Sequence, residues 1–233
     1  VGPKLILNTA TGDAPCFRPA GSEEEGSSPA VSRRGPSGTG GVEKRGLSER
    51  LETEGSPESV FFGDEMRLGL IGQVRRRWAP QGVKIRQPVE FTYEWAYLNL
   101  AVNPVEGTLR WDWTSDMKAE SIAPVLKSWD DALEAIVWDG AKGHQGSEYE
   151  EVKARRIQQP PYSPELQPVE RIFQYLRARI EGIVYGELDA KKQAVESELR
   201  KLAARPEKVQ SLTCWDWIER ALTKLPDRQA TLH

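Results

Sequence analysis

The chain reads as an α/β protein: a mixed central sheet with flanking helices, a helical C-terminal end and a disordered N-terminal tail. Three observations lead there. Composition changes abruptly near residue 57, two-residue apolar periods fill the stretch that follows, and helical periods take over after residue 168.

Residues 1–57 hold 10 of the 20 glycines, no Trp or Tyr, and Phe17 as their single aromatic residue. Stretches such as Ala20-Gly21-Ser22-Glu23-Glu24-Glu25 cannot bury enough apolar area to offset chain entropy. This segment is expected to be a disordered or low-complexity tail, with the folded domain at 58–233. All eight tryptophans fall in the second part, from Trp78 onward. At 233 residues, 26.2 kDa, net charge -3 and pI near 5.7, the chain suits one substantial domain and is no bulk-charge coat for nucleic acid. No apolar run approaches the roughly 20 residues that span a bilayer. Cys16 and Cys214 lie far apart in unlike contexts, which argues against a disulfide framework and fits a reducing, cytoplasmic setting.

The elements follow in order. Ser59 to Glu65 is an apolar strand-like run interrupted by Asp64. Phe91, Tyr93, Trp95 and Tyr97 alternate with Thr92, Glu94, Ala96 and Leu98, predicting one long strand that continues to Val102. The turn residues 103–107 join it to a partner carrying Leu109, Trp111 and Trp113. A helix is expected over roughly 118–133, then a strand from Ala135 that ends at Asp139. A short helix near 146–155 and a last strand over 156–159 come next. Val169, Ile172, Phe173, Leu176 and Ile180 form one face of a helix started by Pro168. Leu188, Val195, Leu199 and Leu202 mark a second helix, from about 188. Thr213 to Asp216 has the form of a capping box ahead of a last helix with Trp217, Ile218 and Leu222. A meander followed by alternating helix and strand is the order of the ribonuclease H-like fold, though other α/β domains share parts of it.

Three carboxylates stand in distinct settings within this order. Asp64 lies in the first strand, Asp139 follows a later one, and Glu170 falls in the first turn of a helix. Singly, each has an ordinary explanation: an exposed strand residue, an Asp-Gly turn, and an acid favoured by a helix dipole by about 0.3–1 kcal/mol. Jointly, acids converging from two strands and a helix suit a pair of magnesium ions for phosphodiester chemistry.

Several blocks carry a resemblance. Phe61 to Leu70 contains Gly63-Asp64-Glu65, and Arg77-Trp78-Ala79-Pro80-Gln81-Gly82 follows it. Val137-Trp138-Asp139-Gly140-Ala141-Lys142-Gly143-His144 holds the second acid, and Pro160-Pro161-Tyr162-Ser163-Pro164-Glu165-Leu166-Gln167-Pro168-Val169-Glu170 leads to the third. With Ser211 to Ile218 near the end, these resemble the catalytic domain of mariner-superfamily DDE transposases of the bacterial insertion sequence 630 type, over about residues 58–222.

That resemblance implies a catalytic, metal-binding triad of Asp64, Asp139 and Glu170, with 74 residues between the first pair (65–138) and 30 between the second (140–169). It implies two Mg²⁺ ions, with Mn²⁺ as a possible substitute, serving DNA strand cleavage and strand transfer. Clustered acids repel and raise one another's pKa; divalent cations remove that cost. His144 is expected to support the site, by touching the DNA backbone, orienting the attacking water or making a structural hydrogen bond. Tyr162, among prolines, is expected to stiffen the loop that delivers Glu170. Arg75, Arg76, Arg77, Lys84 and Arg86 form the densest basic cluster and are candidate phosphate contacts, with Lys153, Arg155 and Arg156 a weaker set. The implied partners are double-stranded DNA, as transposon ends and target, and a second copy in a homodimer. The implied location is the bacterial cytoplasm at the nucleoid, with no membrane.

Nothing in 1–57 resembles the helix-turn-helix domains of full-length relatives, so a separate partner chain carrying them is expected, or a truncated copy. The alternatives are therefore a catalytically inactive remnant acting as a binding or interaction module, and a nuclease that cuts without joining. Three departures from the family pattern leave the acids in place. Gln167 stands where Asn is usual, Gln158-Gln159 replace a more apolar strand ending, and Lys142-Gly143 precede His144 where an aromatic residue is common.

Overall fold

The computed structural model describes residues 4–6, 41–51, 56–72, 79–84 and 86–223. Five strands form the central sheet: β2 (Val60–Gly69), β4 (Trp95–Asn103), β5 (Thr108–Thr114), β6 (Ala135–Trp138) and β7 (Arg155–Gln158). Their spatial order is β5-β4-β2-β6-β7. The strand β4 runs antiparallel to both β5 and β2, whereas β6 runs parallel to both β2 and β7. This is a mixed ribonuclease H-like sheet, as the element order predicts. Two three-residue strands, β1 (Lys4–Ile6) and β3 (Pro88–Glu90), pair antiparallel apart from it.

The sheet separates two cores. Phe62, Met66, Leu98, Leu100 and Val137 face α3 (Val169–Ile180), α4 (Leu188–Ala203), α5 (Pro206–Thr213) and α6 (Asp216–Thr223). On the opposite face Phe61, Ala101, Ile136 and Trp138 pack with α2 (Ala119–Ser128) and Tyr149. Strands buried on both faces read as near-continuous apolar runs, which is why Ala135-Ile136-Val137-Trp138 is fully buried.

The meander turn is set by one side chain. Asn103 accepts hydrogen bonds from the backbone N–H groups of Val105 and Glu106, each at 2.9 Å, and its amide donates to the Pro57 carbonyl at 2.8 Å. Gly107 then takes a positive φ of 68°, and any Cβ there would sit 2.3 Å from the Pro206 carbonyl oxygen. The turn is therefore held to Pro57 by a hydrogen bond and set against the start of α5 by contact.

Four expectations need correction. The tail expected through residue 57 contributes a helix, α1 (Gly41–Leu51), whose Leu47 and Leu51 are buried in the larger core. Its glycine-rich surroundings mask two leucines spaced one turn apart. The long strand starts at Trp95, not Phe91, because its partner β2 ends at Gly69, opposite Trp95; Phe91 and Tyr93 are exposed. The short helix expected near 146–155 is instead a 3₁₀ turn at Ser147–Tyr149, preceded by another at Lys142–His144. Thr213 does not cap α6: it closes α5, and its hydroxyl donates back to the Val209 carbonyl at 2.8 Å. The signals for α5, Pro206 at its first turn followed by Glu207, were present but short.

Leu51→Ala should destabilise the fold by about 2–5 kcal/mol, the usual cost of emptying a leucine-sized core site. Urea unfolding followed by tryptophan fluorescence measures it; unchanged stability would show that α1 adds nothing to the domain.

Candidate active site

The parallel pairing of β2 and β6 is in register at Phe62 and Val137. Asp64 and Asp139 each lie two residues beyond those partners, so the pairing brings them level at the same edge of the sheet. Alternation along β2 sends Asp64 to the face of Phe62 and Met66, where α3 packs. Glu170 sits in the first turn of α3. All three acids line one cavity of about 510 Å³, with Tyr162 and Gln167 on its wall.

The loop that delivers Glu170 is tied down by two glutamines. The buried Gln167 amide donates to the Gly63 carbonyl at 2.8 Å, one residue before Asp64. It also approaches Gln159 Oε1 at 3.4 Å, and the Gln159 amide in turn donates to the Ser163 carbonyl. The departures noted in the sequence at 159 and 167 thus form one amide chain joining β2 to the helix entrance. Pro168 precedes α3, and Glu170 lies 3.8 Å from Arg177, both side chains being partly exposed. Tyr162 is fully exposed and is the one non-glycine residue with positive φ (56°) among the described residues. That left-handed backbone makes the reversal between Pro161 and Ser163.

The electrostatics are those of crowded acids. Burial pushes the Asp64 carboxyl up to about 7; repulsion from Glu65 adds to this, the Glu65 N–H bond opposes it, and Glu170 and Asp139 raise it further. Asp139 is held below the usual carboxylate range by the hydrogen bond from His144 and by the Ala141 N–H at 3.0 Å. His144 is 6 % exposed, and both of its ring nitrogens face carboxylates. Nδ1 lies 2.7 Å from Asp139 Oδ1, and Nε2 lies 3.0 and 3.2 Å from the two oxygens of Glu65. Burial works against charge on this ring, yet the bonds to Asp139 and Glu65 more than offset it and raise its pKa to about 9. Both ring nitrogens of His144 are thus engaged by carboxylates within the chain.

Among the described residues no three His, Cys, Asp or Glu side chains are already drawn into a metal-ligand cluster. The donor set nevertheless fits hard divalent cations: three carboxylates line one cavity, and burial, with repulsion from its acidic neighbours, raises the pKa of Asp64.

Arg75, Arg76 and Arg77 lie outside the described residues. Lys84 and Arg86 are exposed and do not line the acidic cavity. Lys153, Arg155 and Arg156 are exposed at or beside β7, and Arg156 lines a second cavity of about 420 Å³ that shares Asp139, Gly140 and Gln158 with the first. Sequence reasoning missed Glu65, Gln159 and Gln167 as site-building residues. Only the position of Glu65 next to Asp64 could have pointed to it, since its burial depends on the far face of the sheet.

Residues 59–189, more than half of the chain, match the family model for the DDE superfamily endonucleases. The chain belongs to this family. No curated protein matches it. Among solved structures, this DDE endonuclease resembles the pre-cleavage Mos1 transpososome, with a TM-score of 0.57 at 11 % identity over 78 % of this chain. It also resembles the Mos1 mariner paired-end complex with Mn (0.56, 12 %, 78 % of this chain) and the Mos1 strand transfer complex (0.54, 11 %, 80 %). At identities this low the likeness shows the shared fold alone. The chain spans 60, 58 and 60 % of the respective Mos1 chains.

The raised Asp64 pKa fixes a pH dependence for the metal-free DDE endonuclease. A carboxyl whose folded pKa lies above its unfolded value contributes stability that is full below about 3.8 and lost as pH rises through about 7. Asp64→Asn, which removes the charge, should therefore melt higher than the unaltered chain at pH 8 in chelator and close to it near pH 4. Thermal unfolding across pH checks this; equal melting temperatures at pH 8 would show that Asp64 is not held against its charge.

Proposed function

We propose that the chain is the catalytic domain of a DDE transposase, cutting DNA strands and joining them to target DNA. The observation that carries this is the meeting of Asp64, Asp139 and Glu170 on one cavity in a member of the DDE superfamily endonucleases. The Mos1 complexes with Mn and with Mg, on a related fold, support divalent-metal use.

Asp64, Asp139 and Glu170 are the residues that would hold two divalent ions, Mg²⁺ or Mn²⁺. Such ions, when bound, supply an activated attacking oxygen and neutralise charge on the leaving oxygen, in line across phosphorus. The chain itself supplies placement. Asp64 is fixed in a central strand bonded on both sides, and Glu170 by a helix start tied through Gln167 to that same strand. Asp139 sits on the loop between them. Cleavage and joining share one site because they differ only in the attacking oxygen, water in one case and a 3′-hydroxyl in the other.

Arg75, Arg76, Arg77, Lys84 and Arg86 are the proposed phosphate contacts, since a few basic side chains supply most sequence-independent DNA affinity. The full reaction is proposed to need two copies of the chain, one for each transposon end, and a DNA-reading helix-turn-helix part.

The test is cleavage of duplex DNA in Mg²⁺ or Mn²⁺, with and without an added end-binding domain. Loss of a carboxylate that stabilises charge by several kcal/mol lowers the rate by about a thousandfold. Asp64→Asn and Asp139→Asn should each do so while DNA affinity persists. Binding without metal-dependent cleavage by the unaltered chain would mark a silent binding module. Cleavage without joined product from a precut end would mark a nuclease.

A further inference from the structure

Asp64 and Glu65 are neighbours on β2, and the two-residue period sends their carboxylates to opposite faces of the sheet. Asp64 enters the catalytic cavity. Glu65 enters the apolar layer beside Trp138 and Tyr149, where its side chain is 2 % exposed. A carboxylate in such a place is costly unless it is hydrogen-bonded. Both Glu65 oxygens face one group, Nε2 of His144, at 3.0 and 3.2 Å.

The ring passes the constraint onward. Its Nδ1 lies 2.7 Å from Asp139 Oδ1, and its face stacks on Trp138 at 4.0 Å between centroids and 35° between planes. Asp139 has little else to hold it: its side chain is 57 % exposed, on the loop just after β6, and its other bond comes from the Ala141 N–H. We infer that Glu65 is a positioning residue, gripping the His144 ring from the far side of β2 and thereby setting the orientation of the Asp139 carboxylate toward the catalytic cavity. One strand then governs both acids: Asp64 directly, and Asp139 through the adjacent side chain and an imidazole.

The backbone around His144 is secured by other means. Arg156 donates to the His144 carbonyl at 2.9 Å, and the Tyr149 hydroxyl donates to the Gly143 carbonyl at 2.5 Å. A Cβ on Gly143 would lie 2.3 Å from the Met117 carbonyl oxygen, so only glycine passes there. Losing Glu65 should therefore release the ring and Asp139 without dissolving the turn.

The inference rests on the proposal that Asp139 holds metal, and the experiment separates the two. Mn²⁺ binding to the full chain is measured by electron paramagnetic resonance, without DNA, for the unaltered protein, Glu65→Ala, Glu65→Gln and Asp139→Asn. Residues that orient metal-ligating groups typically cost about 10- to 100-fold in metal affinity when removed. Glu65→Ala should weaken Mn²⁺ binding by about that factor. Glu65→Gln, which keeps an oxygen acceptor for Nε2–H, should fall between it and the unaltered chain. The chain has two histidines, His144 and His233, so ¹⁵N spectra resolve the ring signals. The slow-exchanging Nε2–H of His144 should vanish in Glu65→Ala and persist in Glu65→Gln. Should Glu65→Ala fail to fold, a weakened Mn²⁺ affinity in Glu65→Gln supports the inference and an unweakened one overturns it. Affinity lost in Asp139→Asn but unchanged in both Glu65 variants overturns the positioning role and leaves the metal reading standing. Absence of Mn²⁺ binding by the unaltered chain overturns both.

Discussion

The parallel pairing of β2 with β6 is the constraint on which the rest of the site depends. Three residue pairs, Val60 with Ala135, Phe61 with Ile136 and Phe62 with Val137, fix the register. A slip of one residue would turn every side chain of β6 to the other face and move Asp139 away from the level of Asp64. The register is defended from both sides, since Phe62 and Val137 are buried in one core and Phe61 and Ile136 in the other. The acids are placed by apolar packing that none of them takes part in.

That placement runs against the stability of the metal-free fold. Burial raises the Asp64 pKa first, and the three neighbouring carboxylates raise it further. The opposing contributions are local: an imidazole between Glu65 and Asp139, and the amide chain through Gln167. A stable fold with no function would put apolar side chains here. The retained strain is what one expects where charge must later be matched by something the chain itself lacks.

Much of this was legible in the sequence where local pattern and burial coincide. Asp139 after a four-residue apolar run, and Glu170 in the first turn of an amphipathic helix, need only period and propensity to be read. The misread elements are those in which a distant contact decides. Leu47 and Leu51 look like isolated leucines in a polar, glycine-rich segment until α6 supplies the surface they cover. Phe91 and Tyr93 continue a flawless alternation, but the strand that would pair with them has already ended. Glu65 follows Asp64 in the chain and reads as a second exposed acid. Its burial requires knowing that Trp138 and the 3₁₀ turn at His144 close over it. The glutamines at 159 and 167 looked like weakened versions of more familiar residues, yet their longer amides reach each other and the Gly63 carbonyl.

The placement of α1 extends the same logic to the cavity's outer wall. β7 is the edge strand of the sheet, and its last residue, Gln158, lines the cavity that holds the three acids. Arg50, near the end of α1, donates to the Gln158 carbonyl at 2.8 Å. Leu47 and Leu51 fasten that helix to the core, each burial being worth about 1.5–3 kcal/mol. An edge strand four residues long has a ladder on one side only, so a bond from a well-packed helix at its final carbonyl restrains the very point where the chain turns toward Gln159 and the proline loop. The amide chain that locates Glu170 begins one residue later. Geometry at the third acid thus depends on a helix more than a hundred residues earlier in the chain.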